Sequence, residues 1–155
     1  MAKGLIGVDN VMKNLNKKLS KIKIKSTAGL IEAAIVIRRD MDMTPPLIPV
    51  DFGNLRASWF ITSGTVTKSA PQFKGDDSSK LTADHSSIVS EAASKAKAIP
   101  RPLVIMGFSA GYSRAVENMD NFKDPHRPNS GPKFFLSSIK RNAGKVTKIV
   151  AAANK

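Results

Sequence analysis

The sequence contains no cysteine, which excludes disulfides, thiolate metal sites and a cysteine nucleophile and leaves the redox compartment open. Histidine occurs only as His85 and His126, too few for an imidazole metal centre; both sit among polar residues and are expected at the surface. Aromatics are scarce, with one Trp, one Tyr and seven Phe in 155 residues, so the core must be mainly aliphatic. No apolar run approaches the roughly 20 residues that cross a bilayer. Asp9 interrupts the apolar start that follows Lys3, so a secretory leader is not expected and the chain reads as soluble and intracellular when made. Asp42, Asp51, Asp76, Asp77 and Asp84 have neither EF-hand spacing nor a paired-carboxylate signature, and solvated loop positions are their default. No cofactor is expected.

What is abundant is positive charge: 25 Lys and Arg against 12 Asp and Glu, a formal +13. Residues 1–40 carry nine basic and three acidic groups, residues 41–100 six of each, and residues 101–155 ten and three. Cationic ends therefore flank a neutral middle, a balance that favours nucleic acid, an anionic membrane face or an acidic partner. The length suits one domain, which can bury roughly 70% of its unfolded surface.

Val8, Val11, Met12, Leu15, Leu19 and Ile22 recur at helical spacing with lysines between them, which predicts a basic amphipathic arm over residues 1–25. Without bulky aromatic anchors, it reads as a packing helix with a solvated face rather than a membrane-surface helix. Ser26 and Thr27 can cap a second run through Leu30, Ile31, Ala34, Ile35 and Met41, with helix ending near Met43 before Pro45 and Pro46. Residues 57–67 suit a strand, and residues 65–84 an exposed loop. Ser86 to Ala96 predicts a short helix stopped by Pro100, and Leu103 to Phe108 a buried strand. Tyr112 to Glu117 fits a strand or a short helix, and Asn118 to Gly131 a loop. Residues 133–155 read as a basic C-terminal helix and tail. This order specifies a single α+β domain, 1–155, in which a long N-terminal helix and a C-terminal helix cover a small, mainly antiparallel sheet.

Two patterns invite a functional reading. Gly107-Phe108-Ser109-Ala110-Gly111 follows an apolar run and fits the G-x-S-x-G nucleophile elbow, which makes a small serine hydrolase using Ser109 one alternative. The upstream chain lacks the parallel strands and oxyanion loop that such an enzyme needs, so a glycine-flanked bend is the plainer reading. Thr44 to Trp59 holds more information. Pro49 fixes φ, Asp51 can accept backbone N–H bonds, and Gly53 permits a positive φ. Leu55 and Trp59, four apart, can anchor the turn on a helix layer while Arg56 points elsewhere.

The stretch Pro49-Val50-Asp51-Phe52-Gly53-Asn54-Leu55-Arg56-Ala57-Ser58 resembles the Pro-Val-Asp-Thr-Gly-x-Leu-Arg-x-Ser signature of a tailed-bacteriophage family of neck, head-to-tail joining and tail-completion minor virion proteins. Tyr112-Ser113-Arg114-Ala115-Val116-Glu117 keeps the tyrosine and glutamate spacing of that family's Tyr-Ala-x-x-Val-Glu segment. Pro132-Lys133-Phe134-Phe135-Leu136 is similar to the Pro-Lys-Phe-Leu segment that opens its last helix. Together these span most of residues 28–150 in the family's order. Phe52 departs from the usual small hydroxyl residue, Ser113 from the usual alanine, and Lys68 to Lys80 looks expanded.

The resemblance implies a non-enzymatic virion protein, made in the host cytoplasm, that forms a homo-oligomeric connector ring at the neck. A hexamer is favoured, with a dodecamer as the alternative. Its partners would be itself and other phage neck, portal-side and tail proteins, with no membrane involved. Lys17, Lys18, Lys21, Lys140, Arg141 and Lys145 are candidate contacts to genome DNA in the lumen or to acidic partner surfaces. Arg56 and Glu117 are candidates for a charged pair, if their motifs lie on neighbouring strands. A nonspecific basic DNA-binding protein is the other alternative, although the basic C-terminal run lacks interleaved aromatics for base stacking.

Overall fold

The structure, a computed structural model, describes residues 8–51, 53–120 and 127–155; the motif residue Phe52 and the candidate His126 lie outside these. The first element, α1 (Val8–Met43), is one uninterrupted helix of 36 residues, about 54 Å long. The expected break at Ser26 and Thr27 does not occur. Ser26 Oγ donates to Asn154 Oδ1 at 2.9 Å, so the hydroxyl finds a partner across the fold. The helix ends where Pro45 and Pro46 withhold N–H donors.

After a single turn, α2 (Asn54–Ala57), come β1 (Trp59–Thr62) and β2 (Thr67–Ser69). The predicted strand over 57–67 is therefore a hairpin, turned at Gly64, whose φ is +83° and where a Cβ would meet the Lys97 nitrogen at 2.7 Å. The helix α3 (Ser78–Ala98) follows, then β3 (Ile105–Phe108), α4 (Ser113–Asn118) and α5 (Phe134–Ala153). The segment 65–84 is thus not a simple loop, because it holds β2 and the first turns of α3. Tyr112 to Glu117 takes the helical alternative.

The sheet has the order β2-β1-β3 and is antiparallel throughout, with Ile61 opposite both Lys68 and Met106. This is the α+β architecture that the element order predicts. The core collects Met41, Ile48, Leu55, Ala110 and Phe134, with Ile37, Met106, Phe108, Val116 and Phe135 packed on it.

Helix α5 runs antiparallel along the C-terminal half of α1. Ser138 Oγ donates to Ile37 O at 2.9 Å, and Gly29 lies so close to α5 that a Cβ there would stand 2.9 Å from Ala153 Cβ. The glycine is what permits this approach. Because α5 ends level with Ser26, α1 from Asp9 to Ile22 overhangs the body, and residues 9–25 are all exposed. Among the described residues no helix is long and apolar enough to cross a membrane.

Candidate functional site

The junction between α1, α2 and the segment before α5 is organised by one carboxylate, Asp42. Arg38, one turn earlier on α1, donates to it at 2.7 Å; Arg56 approaches through Nε at 3.0 Å, and Arg127 through Nη1 at 3.3 Å. Arg127 also donates to the backbone oxygens of Asp42 and Ile48, both at 2.8 Å. Three guanidiniums thus lock the end of α1 to the corner and to the chain entering α5. Arg38 is the most buried of them. Its guanidinium stands 5.5 Å from the Trp59 ring centroid, in cation–π range. Burial pulls Arg38 below the ordinary arginine range while Asp42 opposes the shift.

In the corner, Gly53, Leu55 and Ser58 take positions that suit their types. Gly53 has φ +87°, a left-handed conformation that favours glycine, and it leads directly into α2. Leu55 enters the core, and the buried Ser58 donates Oγ to Leu55 O at 2.8 Å. Pro49 is buried, whereas Asp51 and Arg56 are exposed.

The second and third motifs meet at the start of α5. Glu117, on α4, accepts the Phe135 N–H through Oε2 at 3.1 Å and the Leu136 N–H through Oε1 at 2.9 Å; its backbone oxygen accepts Lys133 N–H at 2.9 Å. A carboxylate from elsewhere in the chain therefore caps α5, where free N–H groups and the helix dipole favour negative charge. Lys133 is left-handed at φ +59°, and its Nζ reaches Asn118 Oδ1 at 3.0 Å. After the half-buried Pro132, Phe134 is buried edge-on to Phe108 at 5.7 Å, whereas Leu136 is exposed. The first and third motifs are linked by Leu47, which donates to Asn129 O at 2.9 Å and accepts from Gly131 N–H at 3.2 Å.

This arrangement corrects the expected Arg56–Glu117 pair. Neither residue lies on a strand: Arg56 is on α2 and turns to Asp42, while Glu117 is on α4 and caps α5. Arg141 is likewise committed inside the chain. It holds Asp40 at 2.6 Å and donates to the backbone oxygens of Thr44 and Pro45. Burial works to raise the Asp40 carboxyl, but hydrogen bonds from Arg141, Ser138 and Thr44 outweigh it and hold Asp40 below its usual value. Lys17, Lys18, Lys21, Lys140 and Lys145 are exposed. The first three stand on the overhang.

His85 is not at the surface. It is 4% exposed, packed edge-on against Phe60 and Phe73, and its Nδ1 lies 2.7 Å from Ser109 Oγ. Burial lowers its basicity below the free-histidine value, and Nε2 is buried without a partner among the described residues. The sequence signal is present: His85, Ala92 and Ala96 recur on one helical face.

The serine–histidine contact resembles half of a triad, but its geometry is that of a structural tie. Ser109 is 4% exposed, its N–H donates to Ser58 O at 2.9 Å, and its Oγ lies 3.3 Å from the same oxygen. Among the described residues the only non-glycine positive φ values belong to Asn129 and Lys133, so Ser109 lacks the strained turn of a nucleophile elbow. No described carboxylate holds His85 Nε2. Nearby, Asp51, Asp76, Asp77, Asp84 and Tyr112 line an open cleft. Burial and the charge of Asp51 raise the Tyr112 hydroxyl above its ordinary value. Among the described residues no group of three or more His, Asp or Glu is placed to hold a metal ion.

Comparison with known proteins finds no matching family model, no matching curated protein and no matching solved structure.

Proposed function

We propose that this chain is a structural virion protein of a tailed bacteriophage, assembling with copies of itself into a ring at the neck that joins or completes the head-to-tail connection. The observation that carries the reading is that the three stretches on which the phage resemblance rests are one physical unit. Leu55 and Phe134 share a core; Glu117 caps the helix that Pro132 to Leu136 opens; Leu47 ties the corner to the chain before α5. Every bond in that unit positions helices, and none presents a reactive group to a substrate. A ring protomer needs such a rigid body together with a segment that reaches its neighbour, and the bare N-terminal half of α1 suits that second role.

The ring comprises six copies, or twelve if it follows the portal. It is housed in the virion neck, next to portal-side and tail proteins. Negative-stain imaging and light scattering of the purified full chain test this reading, together with a search for the chain in purified particles. Closed rings and a fixed copy number per particle support it. A permanently monomeric chain that is absent from particles contradicts it.

One observation favours a second reading as a nonspecific DNA-binding protein: Lys13, Lys17, Lys18, Lys21, Lys23 and Lys25 are all exposed along one helix. Tight duplex binding by the monomer, weakening steeply with salt, supports that reading instead.

A further inference from the structure

The overhang of α1 carries an uncovered apolar stripe. Val11, Met12, Leu15, Leu19 and Ile22 recur at intervals of three and four along one side of the helix, and Val11 is 64% exposed. The stripe continues the side of α1 that α5 covers, past the point where α5 ends at Ser26 and Asn154. Lys18 and Lys25 flank the stripe on one side and Lys23 on the other, while Lys13, Lys17 and Lys21 stand toward the back of the helix; Asp9 is the single acid.

A complementary surface lies at the other end of the molecule. On α3, Leu81, Asp84, Ile88 and Glu91 recur at the same intervals, with Asp77 at the helix start and Asp76 beside it. Ile88 is 37% exposed, and Leu81 is half-buried. Lys80 stands beside this ridge, and Lys95 pairs with Glu91 at 2.6 Å; residues 76–91 nonetheless hold four carboxylates and one lysine. Asp77 to Glu91 and Val11 to Lys25 each span about 21 Å of helix.

The two surfaces cannot meet within one chain. Lys23 and Ile24 line a groove with Ala96 and Lys97, at the C-terminal end of α3, and the overhang continues outward from there. The ridge starts at the opposite end of α3, where Lys74 bonds Asn54 near the far end of α1. Unlike, complementary surfaces at opposite ends of a protomer are the elements of a head-to-tail interface, which closes into a ring when the rotation permits.

We infer that the α1 overhang of one copy lies along the outer face of α3 in the next copy, its apolar stripe on Ile88 and the exposed edge of Leu81, with Lys18 and Lys25 beside Asp77, Asp84 and Glu91. The inference rests on the ring reading and names the contact that builds the ring. The occupant is a second copy, because phosphate groups satisfy lysines but leave Val11, Leu15 and Ile22 in water.

Since the chain has no cysteine, engineered thiols report the contact without background. Leu15→Cys or Leu19→Cys is combined with Ile88→Cys in the full chain and oxidised, with each single variant as control. The expected result is a ladder of disulfide-linked multimers from a double variant and none from the singles. In parallel, Lys18→Glu with Lys25→Glu weakens self-association at least about tenfold, and adding Asp77→Lys, Asp84→Lys and Glu91→Lys to the same chain restores it. Dimers from Leu15→Cys or Leu19→Cys alone show arms pairing with arms and overturn the inference. Rings seen by light scattering without any ladder overturn it while leaving the ring reading intact. A chain that stays monomeric, whether or not it binds duplex DNA, overturns both.

Discussion

Asp42 is the residue whose loss most directly tests the junction. In Asp42→Ala, Arg38 stays charged, because arginine does not deprotonate in proteins, and its side chain is only 11% exposed. Removing one partner of a fully buried pair costs about 3–5 kcal/mol. Here Asp42 is 19% and Arg56 51% exposed, so solvent screens part of the interaction, and a loss of about 2–4 kcal/mol is expected. At about 2–4 °C per kcal/mol for a chain of this size, melting falls by about 5–15 °C. Urea denaturation measures the free energy. Arg56→Ala alone costs less than about 1 kcal/mol, since that pair is half in water. Adding Arg38→Met to Asp42→Ala recovers about 1 kcal/mol or more by removing the stranded charge. A loss from Asp42→Ala no larger than that from Arg56→Ala shows that the carboxylate is an ordinary surface partner and refutes the hub.

Glu117→Ala removes both side-chain acceptors at the start of α5 and lowers stability by about 1–2 kcal/mol in thermal unfolding, with Glu117→Gln milder; an unchanged melting curve contradicts the cap. His85 is buried and its folded pKa lies below 6.5, so the unfolded chain binds a proton that the native chain refuses. Its stabilisation is therefore complete above about pH 6.5 and is lost as pH falls below that value, by up to about 1.4 kcal/mol per pH unit until the native histidine also titrates. Urea midpoints between pH 5.5 and 7 read this slope, and its survival in His85→Gln contradicts the assignment. Gly64→Ala forces a side chain into a positive φ and to within 2.8 Å of two backbone atoms of α3, costing at least about 2 kcal/mol in the same assay. A loss below about 0.5 kcal/mol shows that the hairpin can move away from α3.

The sequence revealed the elements whose periodicity is long and regular, and hid those decided by distant partners. Helices α1 and α5 announce themselves by apolar residues at intervals of three and four, and β3 by a short apolar run before Gly107. The first turns of α3 read as loop because Ser78, Ser79, Lys80 and Asp84 have turn-like composition, although His85 sits on its buried face and the half-buried Leu81 at that face's edge. Ser26 and Thr27 have the composition of a helix boundary, but the partner that satisfies Ser26 is 128 positions away. The same holds for the junction. Arg38 and Asp42 are recognisable as a helical pair, but nothing local indicates that Arg56 and Arg127 converge on the same carboxylate or that Glu117 caps α5. Gly53 and Leu55 are legible in the sequence because a tight turn and a buried anchor are local demands.

Self-assembly into a closed ring is read out by native mass spectrometry of the purified full chain across a range of concentrations. The expected result is one discrete oligomer of six or twelve subunits that dissociates when Leu15 and Ile22 are both changed to Ser. A monomer at every concentration, or a continuous ladder without a closed species, contradicts it.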